Sequence, residues 1–100
     1  MEISFQKNDT LLSIKVEGRL DTITSGDFMT RIDENMGEEI TDVVIDCSQL
    51  VYISSSGLRV FMTLYKRTAP KGGKLVLKGL TPQVGEVLNI TGMANLFTIE

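Results

Sequence analysis

Ser54-Ser55-Ser56-Gly57 gathers the densest set of hydroxyls in the sequence, directly after the apolar Val51-Tyr52-Ile53. Serines in that setting can do three things. One can cap a helix, accepting a hydrogen bond from an unpaired backbone N–H for about 1 kcal/mol. A second can display its hydroxyl where helix-start amides and the macrodipole favour an anion, so that an added phosphate of roughly −1.5 to −2 charge is tolerated without unfolding. A third can act as a nucleophile, because strand, serine and helix in succession also form the hydrolase elbow. Catalysis lacks its other parts. The chain contains no histidine to act as base, and Ile53 and Ser54 stand where the first glycine of G-x-S-x-G could lie. A Ser–Lys pair would need Lys66, Lys71, Lys74 or Lys78, which read as solvated helix and strand-end residues. No enzymatic activity is expected.

Other chemistry is equally thin. The single cysteine, Cys47, permits no disulfide within the chain and no thiolate metal site. Asp33-Glu34 and Glu38-Glu39 look like a charged helix face and its exit, no P-loop glycine pattern occurs, and neither metal nor cofactor is expected. Cys47 and Tyr52 read as structural, buried or partly buried near a central strand.

The elements that must position the serines follow from periodicity. Ile3 and Phe5, then Leu12, Ile14 and Val16, recur every second residue, predicting two strands joined by a hairpin turn at Asn8-Asp9. Thr24 or Ser25 would cap a helix carrying Phe28, Ile32 and Met36 and ending near Gly37. Val43-Val44-Ile45 reads as a central strand covered on more than one side and closed by Asp46-Cys47-Ser48. The serines then straddle the start of a second helix, in which Leu58, Phe61, Met62 and Tyr65 would face the sheet. Val60 and Leu64 widen that helix's apolar stripe, as either a broader core face or a contact patch. Pro70 and Gly72-Gly73 stop it. Lys74 to Lys78 predicts a strand, Thr81-Pro82 opens a third helix carrying Val84, Val87 and Leu88, and Leu96 to Ile99 predicts a last strand. The strand, helix, strand order from Val43 to Leu77 implies a parallel pair with a right-handed crossover.

One hundred residues, 42% of them apolar, suffice for one domain spanning residues 1–100 without metal or disulfide support. The formal charge of −3 and the lack of a dense basic cluster argue against nucleic-acid and anionic-membrane partners. Residues 1–6 lack the basic and apolar blocks of a secretory signal, no apolar run is long enough to span a bilayer, and a reducing, cytoplasmic location is expected.

The run Val43-Val44-Ile45-Asp46-Cys47-Ser48-Gln49-Leu50-Val51-Tyr52-Ile53-Ser54-Ser55-Ser56-Gly57-Leu58 resembles the central signature of STAS-domain anti-sigma factor antagonists. Gly18-Arg19-Leu20-Asp21, Gly72-Gly73 and Thr91-Gly92-Met93-Ala94-Asn95-Leu96-Phe97 are similar to further family segments in the family's order, so the resemblance covers essentially the whole chain. It implies the STAS fold, an α/β domain with a small mixed sheet of four to five strands packed with three to four helices. It also implies a switch. The antagonist binds an anti-sigma factor, itself a serine kinase of the GHKL type, and is released when phosphorylated, here on Ser55; a PP2C-type phosphatase reverses the mark. Ser54 replaces an aspartate and Arg59 a glycine common in the best-known members, leaving Ser54 and Ser56 as secondary sites. Partner contacts would then fall on Asp21, Thr22, Ser54, Ser56, Gly57, Leu58, Arg59 and Met62. A non-switching STAS scaffold or adaptor in a sensory or lipid-handling assembly, its serines merely capping, is the alternative.

Overall fold

In a computed structural model that describes residues 1–100, the first alternating segments form strands β1 (Glu2–Asn8) and β2 (Leu11–Leu20). They pair antiparallel, Ile3 opposite Val16 and Phe5 opposite Ile14. The turn lies one residue later than Asn8-Asp9: Asn8 still pairs with Leu11, and Asp9 takes the left-handed conformation at φ 56°. Aspartate tolerates that region better than most residues.

Helices and strands then alternate: α1 (Thr22–Asn35), β3 (Asp42–Ile53), α2 (Ser55–Thr68), β4 (Leu75–Lys78), α3 (Pro82–Thr91) and β5 (Thr98–Ile99). Short 3-10 turns follow α2 and α3 at Ala69–Lys71 and Met93–Asn95. The five strands lie in sequence order, β2 through β5 parallel and only β1 antiparallel. This is the mixed α/β architecture expected.

Laterally paired residues share a sheet face. Leu12, Val43 and Leu75 form one row and Ile14, Ile45 and Leu77 the next. Both rows join Phe28 and Ile32 of α1, Phe61 and Leu64 of α2, and Val84 and Leu88 of α3 in a single core. All three helices therefore cover the same face, as repeated right-handed crossovers in a sequentially ordered sheet require. That corrects the reading of β3 as covered on more than one side. On its other face Val44 lies in a row between Ser13 and Val76, with Lys15, Asp46 and Lys78 alongside. Neighbouring strands, not a second layer, shelter Val44.

β3 also does not close at Asp46-Cys47-Ser48 but continues to Ile53. Between Lys15 and Glu17 of β2 the partner advances from Asp46 to Gln49, and between Gly18 and Arg19 from Leu50 to Tyr52. Each step inserts one extra residue into β3, which is a bulge. The Asp46 carboxylate accepts from Ser48 N–H at 3.0 Å, so turn-forming residues here stabilise a bulge instead of ending the strand. The bulges turn the strand so that Leu50 and Ile53 face the core, although they lie three residues apart.

In α2 the buried apolar side chains are Leu58, Val60, Phe61 and Leu64, while Met62 and Tyr65 lie half-buried at the margin. Val60 and Leu64 therefore belong to the core stripe and form no contact patch. The predicted strand from Leu96 shrinks to Thr98–Ile99, because Phe97 plugs the core. Its ring stands edge-on to Phe61 and Tyr65, with centroids 6.3 and 5.8 Å away. Gly73 is dictated by space, since a Cβ there would overlap the Thr41 carbonyl oxygen.

Candidate functional site

The last residues of β2 and β3, Leu20 and Ile53, are register partners, and each strand turns directly into a helix. Two helix N-termini are thus set side by side at the carboxyl edge of a parallel pair, where open α/β sheets place their sites. Ser54 N–H donates to the Leu20 carbonyl at 2.9 Å and ties the two starts together.

The first start is capped by Asp21, not by Thr24 or Ser25. Its carboxylate accepts from Ile23 and Thr24 N–H, both at 3.0 Å. The Thr24 hydroxyl accepts from Asp21 N–H at 2.9 Å and donates to the Arg19 carbonyl at 2.8 Å, completing a reciprocal capping box. Asp21 holds the extended φ,ψ that a cap needs, so the aspartate wins over the threonine three residues on, which serves as its partner. The backbone and side-chain hydrogen bonds of Thr24 hold the Asp21 carboxyl below its ordinary value of 3.8. Ser25 is buried one turn into the helix.

The second start distributes the three serines among three situations. Ser54 is the cap, its Oγ accepting from Gly57 N–H at 3.2 Å. Ser55, the first residue of α2, is exposed. Ser56 is half-buried and lines a groove of about 240 Å³ between α1 and α2, together with Thr22, Arg59 and Thr63. Gly57 is pressed against both strand ends: a Cβ there would lie 2.8 Å from Ile53 Cγ1 and from Leu20 Cγ. Leu58 is 5% exposed and packs in the core. Both therefore shape the surface from beneath. Thr22 and Arg59 are exposed, and Met62 lies half-buried one turn beyond Arg59.

Three apolar residues beside these were not among the partner contacts expected from the sequence. Ile23 is 86% exposed in the first turn of α1, and Val51 and Tyr52 are 52% and 40% exposed just before Ser54. Arg19 stacks over the Tyr52 ring at 4.2 Å. Tyr52 is thus a surface residue, correcting its reading as buried or partly buried, because the second bulge turns it away from the core. For Ile23 the signal was its place off the Phe28, Ile32 stripe.

Cys47 is buried, and desolvation, with Asp46 beside it, pushes its thiol up to about 12. Lys71, a conceivable partner for a nucleophilic serine, instead donates to the carbonyls of Glu38 and Ile40 at 2.8 and 3.0 Å. No group of three or more His, Cys, Asp or Glu side chains comes together as a metal site, and no helix is long and apolar enough to cross a membrane.

The STAS domain family model matches residues 2–100. The chain is 30% identical over 99 residues to BtrV of Bordetella bronchiseptica, covering 99% of this chain and 85% of that protein. It is 26% identical to the anti-sigma F factor antagonist of Paenibacillus polymyxa, covering 99% and 86% respectively. Among solved structures it is similar to SpoIIAA. The unphosphorylated form gives a TM-score of 0.85 at 16% identity, covering 99% of this chain and 88% of that one. The phosphorylated form gives 0.77 at 15% identity, covering 99% and 91%.

Proposed function

Since the chain belongs to the STAS domain family, we propose that it is an anti-sigma factor antagonist operating a partner switch. With a free Ser55 hydroxyl it binds an anti-sigma factor that is also a GHKL-type serine kinase, in the cytoplasm. Transfer of the γ-phosphoryl group of ATP to Ser55 Oγ, with loss of the hydroxyl proton and departure of ADP, releases the antagonist, and a PP2C-type phosphatase hydrolyses the ester to serine and inorganic phosphate. The names of its relatives support this reading, as does the existence of SpoIIAA in phosphorylated and unphosphorylated forms. The observation that carries it is the exposure of Ser55 at the first position of α2, while Ser54 takes the capping role.

The contact surface comprises Asp21, Thr22, Ser54, Ser56, Arg59 and Met62 around Ser55, with Gly57 and Leu58 holding it from below. Ile23, Val51 and Tyr52 supply apolar area of the kind that anchors interfaces. An interface of standard size buries about 800 Å² per partner. A dianion at its centre must shed water, and a hundredfold loss of affinity needs only about 2.8 kcal/mol of that cost. Because Ser55 is outside the core, the fold is unaffected.

Intact-mass analysis after incubation with candidate GHKL kinases and ATP tests this. One added phosphate mapped to Ser55, absent in Ser55→Ala, is expected. Ser55→Asp should bind the anti-sigma factor at least tenfold more weakly while melting within a degree or two of wild type. Normal binding by Ser55→Asp would refute the charge argument. Stable binding by a chain that no kinase modifies would indicate a non-switching scaffold.

A further inference from the structure

The protein has four arginines, and three are engaged. Arg67 pairs with Asp33 at 2.7 Å, Arg31 donates to the Ile3 carbonyl at 3.0 Å, and Arg19 lies over the Tyr52 ring. Arg59 is exposed and forms neither an ion pair nor a cation–π contact; the ion pairs are Lys7–Glu39 and Arg67–Asp33. No carboxylate lines the groove it overhangs between α1 and α2. The Arg59 guanidinium is thus left without an anionic partner.

Arg59 lies four residues after Ser55 in the same helix. Residues at i and i+4 have Cβ atoms about 5–6 Å apart, and helical side chains lean toward the N-terminus, so the guanidinium of residue i+4 extends over residue i. The favourable order places the anion on the N-terminal side, as here. A guanidinium matches a phosphate with two parallel N–H···O bonds, which an ammonium cannot do. We infer that Arg59 is an intrahelical clamp for a phosphate on Ser55, holding the dianion against the first turn of α2.

The clamp rests on the phosphorylation of Ser55 proposed above and adds to the switch. In the unmodified protein Arg59 is free for an acidic group on the partner. After phosphorylation it is engaged within its own helix, and a returning partner must bury or break an ion pair. Within the first two turns of α1 and α2 and the strand ends that lead into them, the other charged groups are Arg19, Asp21 and Asp27, while the remaining charges of these elements lie further along them. Asp21 is committed to its own helix start and Arg19 to Tyr52.

The test is phosphorus NMR on protein with phosphoserine installed at position 55 by genetic encoding, which makes it independent of any kinase. The second phosphate ionisation in the Arg59→Gln protein should lie about 0.5 unit above that of the parent, a roughly threefold change in the constant. Arg59→Lys should fall between them, and the difference should shrink as salt rises from 0.05 to about 1 M. Unphosphorylated parent and Arg59→Gln should melt alike, as a merely structural arginine would not allow. Equal ionisation constants in parent and Arg59→Gln would overturn the clamp. Absence of kinase modification at Ser55 in a parallel incubation would instead defeat the switch reading alone.

Discussion

Gly57→Ala pits two effects of known size against each other at the point where α2 leaves the sheet. Alanine exceeds glycine in helix propensity by up to about 1 kcal/mol, which taken alone predicts stabilisation. The added Cβ would lie 2.8 Å from both Ile53 Cγ1 and Leu20 Cγ and 2.9 Å from Leu20 Cδ2. These atoms cannot swing aside, since Leu20 and Ile53 are 0% and 4% exposed and end two hydrogen-bonded strands. Overpacking of this kind costs about 1–3 kcal/mol. The balance is a net loss of about 1 kcal/mol, or a fall of roughly 4–8 °C in Tm for a domain this small. The strain is relieved only by moving the first turn of α2 away from β2, which displaces Ser55 from Asp21 and Thr22, so phosphorylation should slow as well. Differential scanning calorimetry beside Gly26→Ala provides the measurement. Gly26 lies in α1 with nothing within 4 Å of its added Cβ, and its alanine variant should melt higher than wild type. A Gly57→Ala protein melting at or above wild type would refute the steric argument.

Ser54→Ala removes the acceptor for Gly57 N–H and should cost about 1 kcal/mol in urea denaturation while leaving Ser55 a kinase substrate. Asp21 has a folded pKa depressed below 3.8, so its ionised form contributes stability above that value, lost as pH falls through the folded one. Asp21→Asn, which can still cap, should therefore flatten the stability curve below about pH 4, as circular dichroism at graded pH would show. Cys47 behaves oppositely: with its pKa raised from 9.0 to about 12, stability is complete below 9.0 and declines as pH climbs toward 12. At neutral pH its thiol should react with a disulfide reagent only as fast as the domain unfolds; rapid labelling of native protein would show that it is not buried.

The alternating and helical periods of the sequence were sufficient for the hairpin strands and three helices, because burial on one side imposes those periods directly, and the order of the elements gave the parallel pair of β3 and β4. The serines at the head of α2 and the glycine behind them were equally legible, since a helix start after a strand constrains residue type locally. What each serine does was not legible. Capping by Ser54 and exposure of Ser55 depend on where β3 ends, and that depends on two bulges whose extra residues can be counted only against β2. Asp46-Cys47-Ser48 carries the composition of a turn, and only pairing with Lys15 and Glu17 makes it an interruption in a longer strand. The same bulges bring Tyr52 to the surface. Aspartate and threonine both cap well, so the choice of Asp21 over Thr24 was settled by backbone conformation at the end of β2. Local patterns specify which elements exist, because each residue's periodicity is its own; which side chains stand free at the site is decided by register between strands distant in sequence.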